Sequence, residues 1–276
     1  MQEHVTFIIK TLERPQCLFR LVKSIFKYYP GAKILIGDDS EITCKAEIEK
    51  RYPKEDIHVF ELPHDCGVSY GRNYLVQRVK TPFFVLLDDD FEFDENTNIQ
   101  KGLEILIKYD VDILGGYFRN YHQINSPFDI IKFIIKFLIG RIPTNYNYLG
   151  YITYNINTAE MYVKYYTDRF PKFERADIVH NFFIAKTDII CEKNLWDESL
   201  KIHEHTPFFL KAKLSGLRVA FSNCMSVKHK PVRTKKYNTF RNRDFGQEWM
   251  KLYKLRKCVF TYNDRKSFTL FANEDL

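Results

Sequence analysis

Phe84-Val85-Leu86-Leu87-Asp88-Asp89-Asp90 runs directly into Phe91-Glu92-Phe93. A short apolar run with no polar face reads as a strand buried on both sides, the pattern of a parallel sheet. It ends abruptly in three adjacent carboxylates, and in open α/β sheets ligands bind just beyond the carboxyl ends of the strands. Like charges packed there repel one another. A divalent cation held by carboxylate oxygens and by a substrate's phosphates would offset that repulsion. The stretch therefore implies a cation-assisted site for a diphosphate-containing substrate. A lone D-x-D is weak evidence, since acidic turns are common on surfaces. A calcium-loop reading fails because Phe93 stands where that loop needs glycine. A haloacid-type phosphatase would want its acidic pair near the first strand.

Working outward, the first half alternates. The pattern predicts strands over 5–9, 33–37, 57–62, 83–87 and 112–117, and helices over 15–29, 43–52, 68–79 and 96–109. Strands alternating with helices of this length imply βαβ units with right-handed crossovers. The expected fold class is α/β, a mostly parallel twisted sheet flanked by helices. The segment 119–175 is rich in Tyr, Asn and Ile with no clear period, and reads as an insertion covering the acceptor side. Residues 1–118 are expected as the nucleotide-binding half, 119–230 as the acceptor half, and 231–276 as a basic tail. That tail region carries Lys228, Lys230, Arg233, Lys235, Lys236, Arg241 and Arg243, and would fold back over a phosphate-bearing ligand.

Composition sets bounds. The 276 residues are 45% hydrophobic and 16% aromatic, which excludes a disordered chain. The net charge of +7 permits an anionic partner without selecting one. The six cysteines lack any C-x-x-C pair, so reduced thiols in a cytosolic protein are expected, not zinc ligands. No signal-peptide pattern precedes the first strand, and no stretch reaches the roughly 18–20 apolar residues of a membrane span. The nearest candidate is 128–139, interrupted by Lys132 and Lys136. It reads either as an interfacial helix on an anionic membrane or as a core or homodimer helix with two snorkelling lysines.

Three further constellations accompany the acidic run. Ile34-Leu35-Ile36-Gly37-Asp38-Asp39-Ser40 is a second buried strand ending in carboxylates, suited to a base edge or ribose hydroxyls; its alternative is an acidic turn capping the next helix. Thr11-Leu12-Glu13-Arg14-Pro15 joins a strand end to a helix start, where Arg14 can meet a phosphate. Capping alone explains Thr11 nearly as well. Gly67-Val68-Ser69-Tyr70-Gly71-Arg72-Asn73 opens a helix and places Arg72 one turn in, within reach of a carboxylate or phosphate. A solvated surface arginine is its alternative.

These four features, in this order and spacing, resemble the donor half of a GT-A glycosyltransferase of the broad family-2 kind. The stretches KSIFKYYPGAKILIGDDS, GRNYLV, FVLLDDDFEF, DILGGYFR, HNFFIAKTD and SGLRVAFSN are together similar to the catalytic domain of animal β-1,4-N-acetylgalactosaminyltransferases, the GM2/GD2 synthases. The resemblance covers about residues 4–230. It implies a UDP-sugar donor bound around Thr11, Arg14, Asp38, Asp39, Arg72, Asp88 and Asp89. Asp39 would meet uridine and Asp88 would sit near the ribose. Asp90 would hold Mn2+ or Mg2+ with the donor diphosphate. His229, in Val227-Lys228-His229-Lys230-Pro231, falls where many such enzymes place a late metal ligand, and neutral imidazole suits Mn2+.

The catalytic base is harder to place. The family puts an acidic residue beside a Phe-Phe helix start, but Pro207 occupies the matching position here, ahead of Phe208-Phe209. Glu204 is the nearby carboxylate; Asp177, before Asn181-Phe182-Phe183, is the second candidate. The animal enzymes carry a membrane anchor and a lumenal stem that this chain lacks, so a bacterial-type cytoplasmic relative is expected, peripheral on the membrane if 128–139 touches lipid. The expectation is an inverting, metal-dependent transfer of a GalNAc, GlcNAc or Gal type sugar to a glycan or lipid-linked glycan, such as lipooligosaccharide or capsule, with no nucleic-acid partner. A sugar-nucleotide nucleotidyltransferase is one alternative, disfavoured by the lack of a Gly-rich loop near the first strand. A non-catalytic glycan- or nucleic-acid-binding module is the other.

Overall fold

Strand β1 (Val5–Thr11) is buried along its whole length. It lies between β2 (Lys33–Asp38) and β4 (Phe83–Asp88), parallel to both. With apolar layers on each face, its side chains divide by alternation: Val5, Phe7 and Ile9 enter one core and Ile8 the other. Strand β3 (Ile57–Glu61) adds a fourth parallel strand beyond β2. Helix α1 (Pro15–Tyr28) connects β1 to β2 and buries Leu18, Leu21, Val22 and Ile25 on one stripe, the face read from the sequence. Helices α2 (Lys45–Arg51) and α3 (Val68–Val76) complete the crossovers. The computed structural model describes residues 3–120, 145–232, 234–241, 248–263 and 267–271. The 128–139 segment, Arg233 and Arg243 lie outside the described residues.

Helix α4 (Ile99–Lys108) starts later than the apolar pattern alone suggests, because the Asn98 side chain accepts the Lys101 N–H at 2.9 Å and caps it. The sheet then continues from β4 through β11 (Phe183–Lys186) and β6 (Ile113–Asn120) to β12 (Val219–His229) and β10 (Glu174–Ala176). Strand β11 runs antiparallel to both neighbours, and β12 is parallel to β6. The result is the expected α/β architecture, with antiparallel strands confined to its second half. Short β5 (Phe91–Glu92) folds back on the end of β12, opposing Phe91 to His229 and Glu92 to Lys228. That pairing carries His229 to the foot of the acidic run.

Described parts of the insertion and of the tail form a second sheet. Strands β8 (Leu149–Asn155) and β9 (Glu160–Tyr166) come from the insertion; β13 (Lys257–Tyr262) and β14 (Ser267–Phe271) come from beyond residue 231. Their order is β14-β13-β9-β8, with β13 and β9 parallel. Among the described residues, no helix is long and apolar enough to cross a membrane.

Gly116, in the middle of β6, marks the tightest backbone approach in the main sheet. A Cβ there would lie 2.6 Å from the Met225 carbonyl oxygen and 2.8 Å from the Phe182 ring. A carbonyl held in a sheet cannot yield as a side chain can, so overpacking is costly. Gly116→Ala is expected to destabilise the fold by about 2–3 kcal/mol, read as a lowered urea midpoint at unchanged slope.

Candidate active site

The register of the parallel strands sets the site. Lys10 of β1 stands opposite Asp88 of β4, and Thr11 stands opposite Asp38 of β2, so both acidic strand ends leave the sheet along one edge. They then diverge. Asp38 is fully buried; its carboxylate accepts the backbone N–H of Ser40 at 3.0 Å and of Cys44 at 2.7 Å, fixing the loop before α2. Asp39 is equally buried, forms an ion pair with Lys10, and accepts the Gly67 N–H at 3.3 Å. Neither carboxylate lines the cavity, whereas Lys10 does.

Asp88, Asp89 and Asp90 do line it. Asp89 accepts a hydrogen bond from the Thr11 hydroxyl at 2.7 Å and from Arg14 Nε at 3.2 Å, with Arg14 Nη2 closing a forked contact. Arg14 Nη1 reaches Asp90 at 2.8 Å. Burial nevertheless raises the Asp89 carboxyl above its usual range, and raises Asp88 likewise. Burial acts on Asp90 too, but the His229 ring and the Arg14 guanidinium outweigh it and hold Asp90 below the carboxylate range. Of the three carboxyls, Asp90 is the one held ionised to the lowest pH.

His229 Nε2 lies 3.6 Å from Asp90 Oδ2, and its Nδ1 is 3.0 Å from Asn120 Oδ1. An amide oxygen only accepts, so Nδ1 carries a proton in that contact, and Nε2 is the ring nitrogen that faces Asp90. A carboxylate and an imidazole nitrogen this close are two ligand types that a divalent cation takes. Among the described residues, no group of three or more His, Cys, Asp or Glu side chains could hold a metal unaided. Asp90 and His229 therefore fit a divalent ion whose other positions are filled by substrate oxygens and water, the usual habit of Mg2+ at phosphates.

Arg72 joins the acidic run to the other wall. Its Nη2 donates to Asp88 at 2.8 Å and its Nη1 to Glu204 at 2.6 Å, with the arginine and Glu204 both buried. Gly67, the residue before α3, takes φ +98°, and a Cβ there would sit 2.7 Å from Lys201 Cα. Glycine is required at this turn. Val68 N–H then donates to the Lys201 carbonyl at 2.9 Å, tying α3 to the segment that leads into Glu204. His203, immediately before it, is held at φ +63°, a costly conformation for a side-chain-bearing residue. That turn delivers Glu204 to the start of the helix His205–Leu214. Burial opposes ionisation of Glu204, but the Arg72 guanidinium prevails and its carboxyl lies below the ordinary value. Asp177 lies elsewhere. It accepts Lys213 at 2.7 Å and the Ile152 N–H at 2.9 Å, bracing β8 outside the cavity lining.

The cavity measures about 630 Å³. Its floor is the charged strand edge; its far wall is aromatic, with Tyr148, Tyr165, Phe260, Tyr262 and Phe268 from the second sheet and its approach. Two contributors escaped sequence reasoning. Tyr237, on the helix Lys235–Arg241, lies over the Arg14 guanidinium at 4.1 Å, while the neighbouring Lys236 bridges Glu13 at 3.0 Å and Glu41 at 2.7 Å. The basic, aromatic character of the tail signalled a return over the site, but nothing singled out Tyr237. His180 also lines the cavity; a histidine in a loop has no periodic signature that could mark it.

Over 225 residues the chain is 29% identical to β-1,4 N-acetylgalactosaminyltransferase 1 of Mus musculus, covering 82% of this chain and 38% of that protein. The Homo sapiens counterpart is 28% identical over 232 residues, with the same shares covered. A shorter match of 112 residues, 35% identical, covers 41% of this chain and 21% of β-1,4 N-acetylgalactosaminyltransferase 2 of Mus musculus. The chain thus spans well under half the length of the curated relatives it matches. Among solved structures, S. aureus TarS 1–349 in complex with UDP-GlcNAc superposes with a TM-score of 0.57 at 13% identity, covering 91% of this chain and 70% of that one. GalNAc-T7 with UDP, GalNAc and Mn2+ gives 0.58 at 17%, covering 83% and 44%. Both share the GT-A fold. The family described as Glycosyl transferase family 2 matches residues 6–170, more than half of the sequence, and the chain belongs to that family of glycosyltransferases.

Proposed function

We propose that this glycosyltransferase takes a hexose or N-acetylhexosamine from a UDP-sugar and passes it, with inversion, to a hydroxyl of a glycan acceptor. The observation that carries this reading is Arg72, which holds a strand-end carboxylate with one arm and Glu204 with the other. It fixes a general base at a set distance from the diphosphate end of the cavity. The names of the relatives favour a GalNAc-type donor, and a cell-surface glycan such as lipooligosaccharide or capsule is the proposed destination.

The chemistry is a single displacement. The acceptor oxygen bonds to the anomeric carbon as its proton passes to Glu204. The bond from that carbon to the phosphate oxygen breaks, and its electron pair leaves with UDP. One attack from the face opposite the diphosphate inverts the centre. Asp90 and His229 would hold Mn2+ or Mg2+, which when bound neutralises charge on the departing diphosphate. Arg14 and Lys10 add fixed positive charge along the same edge, where it acts on the leaving group without reorganising. Arg72 keeps Glu204 ionised and aimed. The aromatic wall supplies a surface on which an acceptor sugar can stack its apolar face.

A panel of UDP-sugars with Mn2+, scored for slow release of UDP without acceptor, tests the donor class; the reading fails if no UDP-sugar is consumed. Glu204→Gln is expected to lower kcat by about 100- to 10,000-fold while UDP affinity by calorimetry is retained. Because Glu204 lies below its ordinary carboxylate value of 4.5, the base is ionised throughout the neutral range. Its protonation should depress kcat/KM only as the pH falls below that value, and an acid limb near neutrality would assign the proton to another group. For the cation pair, Asp90→Ala should abolish the dependence of UDP affinity on Mn2+. Equal stimulation by Mn2+ in variant and parent would remove Asp90 from the metal site.

A further inference from the structure

His180 is buried to nine-tenths of its surface and lines the cavity, yet its side chain makes no hydrogen bond among the described residues. A polar ring left in this state is costly, so such groups are rare and call for a partner. The ring sits in an aromatic box. Phe118 meets it edge-on at 4.1 Å between centroids, Tyr148 stacks on it at 5.0 Å, and Phe91 lies at 6.2 Å. Burial in this box holds its pKa well below histidine's usual value, so it is a neutral donor and acceptor, not a cation.

Its position narrows what the partner is. The Phe118 ring that touches His180 also touches His229 at 4.8 Å, so one aromatic ring separates His180 from the cation pair. On the other side lies the His205 ring at 6.4 Å, locked by a 2.7 Å contact with the Val179 carbonyl and directly following Glu204 in the chain. His180 thus stands between the diphosphate end and the base. In the proposed displacement that interval belongs to the transferred sugar, whose anomeric carbon is bonded to the diphosphate and attacked by the oxygen that Glu204 deprotonates.

We infer that His180 hydrogen-bonds an uncharged substituent, a hydroxyl or acetamido group, of the pyranose being transferred, and so helps select the donor. This rests on the UDP-sugar reading above. A neutral ring walled by aromatics offers no countercharge to a carboxylate, so uronic acid donors are disfavoured at this position.

The test compares affinity for UDP with affinity for UDP-GalNAc and UDP-GlcNAc, in Mn2+, by calorimetry. His180→Phe keeps the ring and removes the hydrogen bond. UDP should bind as in the parent, while affinity for the preferred UDP-sugar falls about tenfold, the loss of one hydrogen bond to a buried group. His180→Asn, which keeps a hydrogen-bonding group and discards the ring, should recover part of the UDP-sugar affinity. The inference is overturned if His180→Phe leaves the UDP-sugar to UDP affinity ratio unchanged, for then the ring serves packing alone. If His180→Phe does not fold, His180→Asn and His180→Leu both lack the ring and differ in hydrogen bonding; equal ratios in the two overturn it as well. A parent that binds no UDP at all overturns the donor reading itself, a result separable from the others.

Discussion

The structure depends on the neutralisation of carboxylates that the sheet forces together. Parallel pairing in register brings the ends of β2 and β4 to one edge beside β1. Five aspartates, Asp38 and Asp39 and then Asp88 to Asp90, follow from two strands. Left alone in a buried setting they would not all ionise. Three cations drawn from different elements settle the matter: Lys10 from β1 on Asp39, Arg14 from the start of α1 on Asp89 and Asp90, and Arg72 from α3 on Asp88. Removing one member of a buried ion pair typically costs about 3–5 kcal/mol, since the other charge is stranded. The site is therefore part of the fold's stability and not an ornament on it.

That arrangement also explains why charge is left over where it is needed. Asp38 is consumed by backbone N–H groups and Asp39 by Lys10. Asp89 is consumed by Thr11 and Arg14. Asp90 shares Arg14 with its neighbour, and the same Oδ2 that Arg14 reaches also faces His229. Arg72 divides its two arms between Asp88 and Glu204, so the same cation that steadies the strand end keeps the proposed base ionised. A cation or a diphosphate entering the cavity meets a preformed field, and the reorganisation that water would require has already been met in folding.

Much of this was legible in the sequence because it obeys local rules. A buried strand that ends in carboxylates announces the sheet edge, and the Gly67 turn with Arg72 one step into a helix announces a cation aimed back at it. What the sequence could not divide was labour among like residues. Asp38 and Asp39 look like Asp88 and Asp90 in the sequence, and only the loop path shows that the first pair meets backbone amides and Lys10 while the second lines the cavity. Glu204 and Asp177 both precede phenylalanines; one is carried to Arg72 by the strained turn at His203, the other to Lys213 on the outer surface. His180 and Tyr237 were silent because their meaning lies in contacts across distant segments. The tail was read from its charge; strand β13 was hidden because its partner β9 lies about a hundred residues earlier, and β14 pairs with β13 in turn.

The pairing of β9 with β13 has a consequence for how the two substrate sides relate. The family match ends at residue 170, so it takes in the parallel strands, the acidic edge and β9 but not β13. The aromatic wall, by contrast, is shared between the two: Tyr165 of β9 stacks on Tyr262 at 5.3 Å and on Phe260 at 6.5 Å, both of β13. Substitution on either strand disturbs the other through these ring contacts. The acidic edge is thus fixed by electrostatics that any chain with the same carboxylates must solve in a similar way. The opposite wall is fixed by packing between segments far apart in the chain, free to change together. Substitutions on that wall can reshape the far side of the cavity without touching the ion pairs of the acidic edge, because the two lie on different sheets.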